Sequence, residues 1–107
     1  MKILAIEREA PGANREDCAP LLKAEAERVW ELQTSGVIRE IYFRSDRRDA
    51  VLMLECSGIE EANAILSTLP LAKAGSIIFE IIPLSAYTGF SRLFAENTTK
   101  DDDSIEP

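Results

Sequence analysis

The spacing of hydrophobic positions changes several times along the chain, and each change marks an element. "KILAIER" is apolar and rich in β-formers, which predicts a first strand from Lys2 to Arg8. "APGAN" breaks it, with Pro11 and Gly12 as turn residues and Asn14 placed to cap a helix whose first turn carries Glu16 and Asp17. That helix is expected to run to Ser35 and stop at Gly36, a good residue for the position just past a helix end, over about 30 Å. "VIREIYFR" and "AVLMLEC" follow as two strands joined by the charged loop "SDRRD", most simply a hairpin. "SGIEEANAILSTL" reads as a second helix, with Ser57 and Glu60 in capping-box spacing and Pro70 just beyond its end. Its apolar residues Ile59, Ala62, Ile65, Leu66 and Leu69 recur at helical spacing and mark one buried face. "IIFEIIPL" is the last strand.

The order βαββαβ predicts a ferredoxin-like α+β fold: an antiparallel four-stranded sheet with two helices on one face. The other face then matters. In the last strand Ile77, Phe79 and Ile81 point one way while Ile78 and Ile82 point the other, and "AVLMLEC" is apolar on both sides too. A bare apolar sheet face is normally an interface, so two sheets are expected to pack face to face as a homodimer, a dimeric α+β barrel. The domain is expected over residues 1–95, its end an aromatic segment around Phe90, Leu93 and Phe94 that docks on the fold or on the partner, followed by an acidic disordered tail over 96–107.

Composition narrows the function. A length of 107 residues makes one domain, and 46 % hydrophobic with 29 % charged residues is an ordinary globular balance. The net charge of −7 argues against nucleic acid and against an anionic membrane surface. No apolar run approaches a membrane span, and the start "MKILAIER" is too short for a signal-peptide core, so a cytoplasmic protein is expected. Cys18 and Cys56 lie in apolar elements and read as free thiols. Histidine is absent, which removes serine or cysteine catalysis through an imidazole and the commonest ligand of transition metals. Asp101 to Asp103 lack a fixed cage for a cation, and no metal site is expected.

One position in the first helix is out of pattern. At about 100° per residue, Cys18, Leu22, Val29 and Leu32 share a sector of roughly 80°, and Glu25 projects from its middle. A carboxylate there is either half of an ion pair between helix and sheet or a working group in a pocket.

Two stretches resemble the muconolactone isomerase family: "EAERVWELQTSGVIRE" and "LSTLPLAKAGSIIFEIIPL", within a likeness that covers roughly residues 21–84. The resemblance implies a ferredoxin-like barrel that shifts a double bond in a lactone by proton transfer, with no metal or organic cofactor. It places Glu25 and Arg39 on matching positions. Glu25 would be the base, raised in pKa by an apolar site, and Arg39 or Tyr42 would steady the developing enolate oxygen. This chain has Glu40 where the family enzyme has a histidine after its arginine, and its hairpin differs, so isomerase-like ancestry is better supported than the same substrate.

The expected ligand is thus a small lactone or unsaturated carboxylic acid. The competing reading is a non-catalytic module that binds a small hydrophobic acid or serves in oligomerisation, which expects either no cavity or one in which Glu25 is fully engaged by Arg39. The cofactor-free oxygenases of this fold share architecture alone. Elsewhere, Glu80 interrupts an apolar strand and needs Arg8 or Lys2 as a partner, Trp30 sits at the edge of the helix's apolar face, and Lys73 is a pocket-rim candidate.

Overall fold

A computed structural model of the chain describes residues 1–94. Its elements are β1 (Lys2–Glu9), a 3₁₀ segment (Arg15–Leu21), α1 (Leu22–Thr34), β2 (Ile38–Phe43), β3 (Ala50–Glu55), α2 (Ile59–Leu66), α3 (Pro70–Lys73), β4 (Ile77–Pro83) and a 3₁₀ turn (Gly89–Leu93). The strands form one sheet in the order β2-β3-β1-β4, every neighbouring pair antiparallel. This is the ferredoxin-like α+β arrangement expected from the sequence. The tail expected over 96–107 lies outside the described residues.

Period-2 alternation along β1 assigns the two faces. Ile3 pairs with Leu54, and Ala5 with Leu52 and Ile81. These residues meet the helices: Ile3, Ala5, Leu52 and Leu54 cluster with Leu32, Ala62, Leu66 and Leu69, all at most 5 % exposed. The opposite face carries Leu4 beside Met53 and Ile82, and Ile6 beside Val51 and Glu80. Its aliphatic side chains are only half-buried, and Ile78 is exposed. Arg8 pairs with Glu80 there, at 2.5 Å.

The helices depart from expectation at their ends. Asn14 does cap the first turn, accepting a hydrogen bond from the Glu16 N–H at 3.0 Å, but residues 15–21 wind as a 3₁₀ segment. Pro20 lies inside that segment, and its missing N–H and its ring bar an α-helical ladder. The α-helix therefore starts at Leu22. At the other end Gly36 adopts φ 88°, the left-handed conformation that lets its N–H reach the Gln33 carbonyl and the Val37 N–H reach Leu32.

The expected capping box of α2 does not form. Gly58 is the N-cap residue, and the Ser57 N–H donates to Glu61 rather than to Glu60. α2 ends at Leu66, where the Ser67 and Thr68 hydroxyls donate to the Ala64 and Ile65 carbonyls. Pro70 then opens α3 at the first helical position, where its missing N–H costs nothing.

In the C-terminal segment Tyr87 and Phe90 pack edge to face at 4.9 Å. With Leu93 and Phe94 they are 66–83 % exposed, so the segment is not docked on the body of its own chain.

Leu54 is fully buried at the centre of the core. Leu54→Ala is expected to lower unfolding stability by about 2–5 kcal/mol with little change in the denaturant slope, as measured by urea unfolding.

Candidate active site

At one end of the sheet the inward-facing positions turn from aliphatic to acidic while the helical layer continues above them. Beyond Ile3 and Ala5, the inward positions of β1 are Glu7 and Glu9. On β3 the residue opposite Glu7 is Ala50, whose inward neighbour on β2 is Phe43. Ala50 is too small to fill the gap, and a cavity of about 570 Å³ opens there. Its roof is made by Cys18 of the 3₁₀ segment and by Leu22, Glu25, Ala26 and Val29 of α1, and Leu71 and Ile77 close one side. The volume is in the range of small-molecule sites.

Glu25 reaches this cavity from α1. One of its oxygens accepts from the Leu71 N–H at 2.9 Å. Because Pro70 has no N–H, Leu71 offers the first free backbone donor of the α3 turn, so the two stretches that carry the family resemblance meet in this bond. The second oxygen has no protein partner among the described residues. Burial pushes the Glu25 carboxyl above its ordinary value, and the Leu71 bond partly opposes that shift.

Glu7 is the residue that the sequence reading missed. Its carboxylate accepts from the Ala50 N–H at 3.1 Å. Burial raises its pKa first; the Ala50 bond lowers it, the charges of Asp49 and Glu25 raise it, and Arg15 lowers it. The signal was present in "ILAIERE": Ile3, Ala5 and Glu7 share one face, so the core face of a central strand ends in a carboxylate. Asp49 is 2 % exposed and is held by Arg47 Nε at 2.6 Å.

The three residues singled out from the sequence are not gathered into one cluster. Glu25 faces the cavity. Tyr42 borders it, but register places its side chain with Val51 on the open face, where the phenol donates to Glu40 at 2.9 Å. Arg39 lies outside the cavity lining, exposed, and its Nε donates to the Gly36 carbonyl at 2.5 Å. The reason is a bulge: Ile38 pairs with Leu54 and Glu40 with Met53, which leaves Arg39 as the extra residue and breaks the alternation assumed for this strand. Glu25 and Arg39 form no ion pair. Lys73, the rim candidate, is exposed and also outside the lining.

Fold and cavity together define a small ferredoxin-like α+β protein with a carboxylate-bearing pocket between helix and sheet. No family model matches the sequence, and no curated protein matches it. Among solved structures the chain resembles 5-chloro-2-hydroxyhydroquinone dehydrochlorinase (TftG) from Burkholderia phenoliruptrix, in complex with 2,5-dihydroxybenzoquinone. The TM-score is 0.65 at 15 % identity, over 83 % of this chain and 98 % of that one. At that identity the likeness shows the fold. No described helix is long and apolar enough to cross a membrane, and among the described residues no group of three or more His, Cys, Asp or Glu side chains could hold a metal ion.

The raised carboxyls give a stability test. A carboxyl whose folded pKa lies above its unfolded value, near 4.5, contributes stability that is fully present below that value and lost as pH rises through the folded one. Glu25→Gln keeps an acceptor for the Leu71 N–H and removes the titration. The melting temperature of the variant minus that of the wild type should therefore rise with pH from about 4 upward and then level, as followed by thermal denaturation across a pH series.

Proposed function

We propose that the protein is a small cofactor-independent enzyme of the isomerase type, moving a proton on a small lactone or unsaturated carboxylic acid held in this cavity. The observation that carries the reading is the pairing of Glu7 and Glu25 in one cavity, each fixed by a backbone N–H through one oxygen and raised in pKa by burial. A proton-transfer site needs that combination: a base fixed in place, with an affinity for protons nearer neutrality than that of a free carboxylate. In this reading Glu25 takes the proton, and Glu7, when protonated, donates to the developing enolate oxygen or returns a proton at a second carbon. Tyr42 serves only if it releases Glu40, and Arg39 only if the bulge that holds it away from the cavity rearranges.

The likeness to a dehydrochlorinase adds support in kind. Loss of HCl from a ring compound also requires that a proton be taken, and the ligand seen with that enzyme, 2,5-dihydroxybenzoquinone, is a planar ring of a size that this cavity accommodates. The non-catalytic alternative called for either no cavity or one in which Glu25 is fully engaged by Arg39; a cavity is present, and Glu25 and Arg39 are not paired in it. Cytoplasmic residence belongs to the same reading, supported by the free thiols of Cys18 and Cys56.

The test is hydrogen–deuterium exchange at carbon, followed by NMR in D2O with a panel of butenolides and unsaturated acids. Exchange by the wild type that falls about 10²–10⁴-fold in Glu25→Gln is the expected outcome. If no compound exchanges and Glu25→Gln only lowers the melting temperature, Glu25 is a structural tether of α3 and the enzyme reading fails.

The same proposal includes a homodimer built on the open sheet face, whose half-buried Leu4, Ile6, Val51, Met53 and Ile82 would be covered by those of a second copy. Sedimentation should give twice the chain mass, and Met53→Glu, which puts a charge in the middle of that face, should give the mass of one chain.

A further inference from the structure

The hairpin that borders the cavity contains more arginines than it can satisfy. In "RSDRRD", Arg44 grips Asp46 through two nitrogens at 2.9 and 2.6 Å, and Arg47 holds the buried Asp49 at 2.6 Å. Arg48 is left over. It lies in the cavity lining, its guanidinium stacks over the Phe43 ring at 4.6 Å, and among the described residues it has no carboxylate within ion-pair distance. A stacked guanidinium keeps the N–H groups of its edge free for a ligand.

The sheet register sets where that edge stands relative to the acid groups. Phe43, Ala50 and Glu7 form one inward row across β2, β3 and β1, so Phe43 and Glu7 are two strand spacings apart, about 10 Å. A six-membered ring with one substituent at each end spans that gap above Ala50. Arg15, the other guanidinium of the lining, is near enough to Glu7 to lower its pKa, whereas Arg48 has no ion-pair partner among the described residues.

We propose that Arg48 is an anion-recognising group at the mouth of the cavity, selecting small planar rings that carry a carboxylate or ionised oxygen at one end and present the other end to Glu7 and Glu25. The inference rests on the proton-transfer reading for what happens at the acid end, but the recognition can be tested without any reaction. The carboxylates Glu7, Glu9, Glu25 and Asp49 in the lining oppose an anion placed deep in the cavity, which is why the negative group belongs at the rim under Arg48. They also define the competing outcome, a preference for cations.

The test is an NMR titration of the full chain with three ring compounds of the same size: 4-hydroxybenzoate, its uncharged methyl ester, and the cationic 4-(aminomethyl)phenol. The acid should bind about tenfold tighter than the ester, and Arg48→Gln should abolish that difference while moving the ester's affinity less than about twofold. Arg44→Gln removes the same charge from the same loop outside the cavity and should leave the discrimination in place. Equal binding of acid and ester, retained discrimination in Arg48→Gln, equal loss in Arg44→Gln, or a preference for the amine each overturns the assignment of Arg48. In those cases binding that shifts Glu7 and Glu25 resonances leaves the cavity reading standing; binding of none of the three removes both.

Discussion

The constraint on which this structure turns is the two-residue period of β1. That strand is hydrogen-bonded on both sides, to β3 and to β4, and every second residue of it must face the helices. Ile3 and Ala5, at one end of its inward face, are completely buried in the core, and Glu7 and Glu9, at the other, stand in the cavity lining. One strand thus supplies both the anchor of the fold and the floor of the site. The sheet cannot slip by a residue to hide Glu7 without exposing Ile3 and Ala5, so the core holds the carboxylate where it is.

The roof is held by a second polar contact. Glu25 accepts from the Leu71 N–H and ties α1 to the short α3 turn, whose first residue, Pro70, has no hydrogen of its own to offer. The bond has a structural value, as a hydrogen bond to a partly buried charged group, and a chemical one, because it fixes the carboxylate while leaving its second oxygen without a protein partner. A half-buried glutamate in this position is costly when ionised, and burial raises its pKa accordingly. The same two effects act on Glu7 through Ala50, and the nearby negative charges of Glu25 and Asp49 raise it further. Two such carboxylates thus line one cavity in a chain that has no histidine.

The charged hairpin shows how surface composition becomes specific only in three dimensions. "SDRRD" reads in sequence as no more than the charged loop of a hairpin. In the structure its aspartates are spent on Arg44 and Arg47, and Asp49 is buried while doing so. The remaining arginine is turned by stacking on Phe43, and Phe43 faces inward only because β2 has regained its alternation after the bulge at Arg39. The bulge has the opposite effect on Arg39 itself, which turns to the Gly36 carbonyl and leaves the site.

The sequence by itself determined the order of the elements, the antiparallel sheet and the helix stop at Gly36, because these depend on local periodicity, turn residues and φ preferences that a reader of one chain can apply. It also marked Glu25, since a carboxylate in an apolar stripe is a local anomaly. Glu7 was passed over although its signal was there, because the residue sits at the strand end, where polar side chains are ordinary. What it could not contain was the bulge in β2, the pairing within the hairpin and the meeting of Glu25 with Leu71. Each of these depends on which residues stand opposite one another across strands or between layers. That registry follows from packing the whole core at once, and so the composition of the cavity was decided only by the tertiary structure.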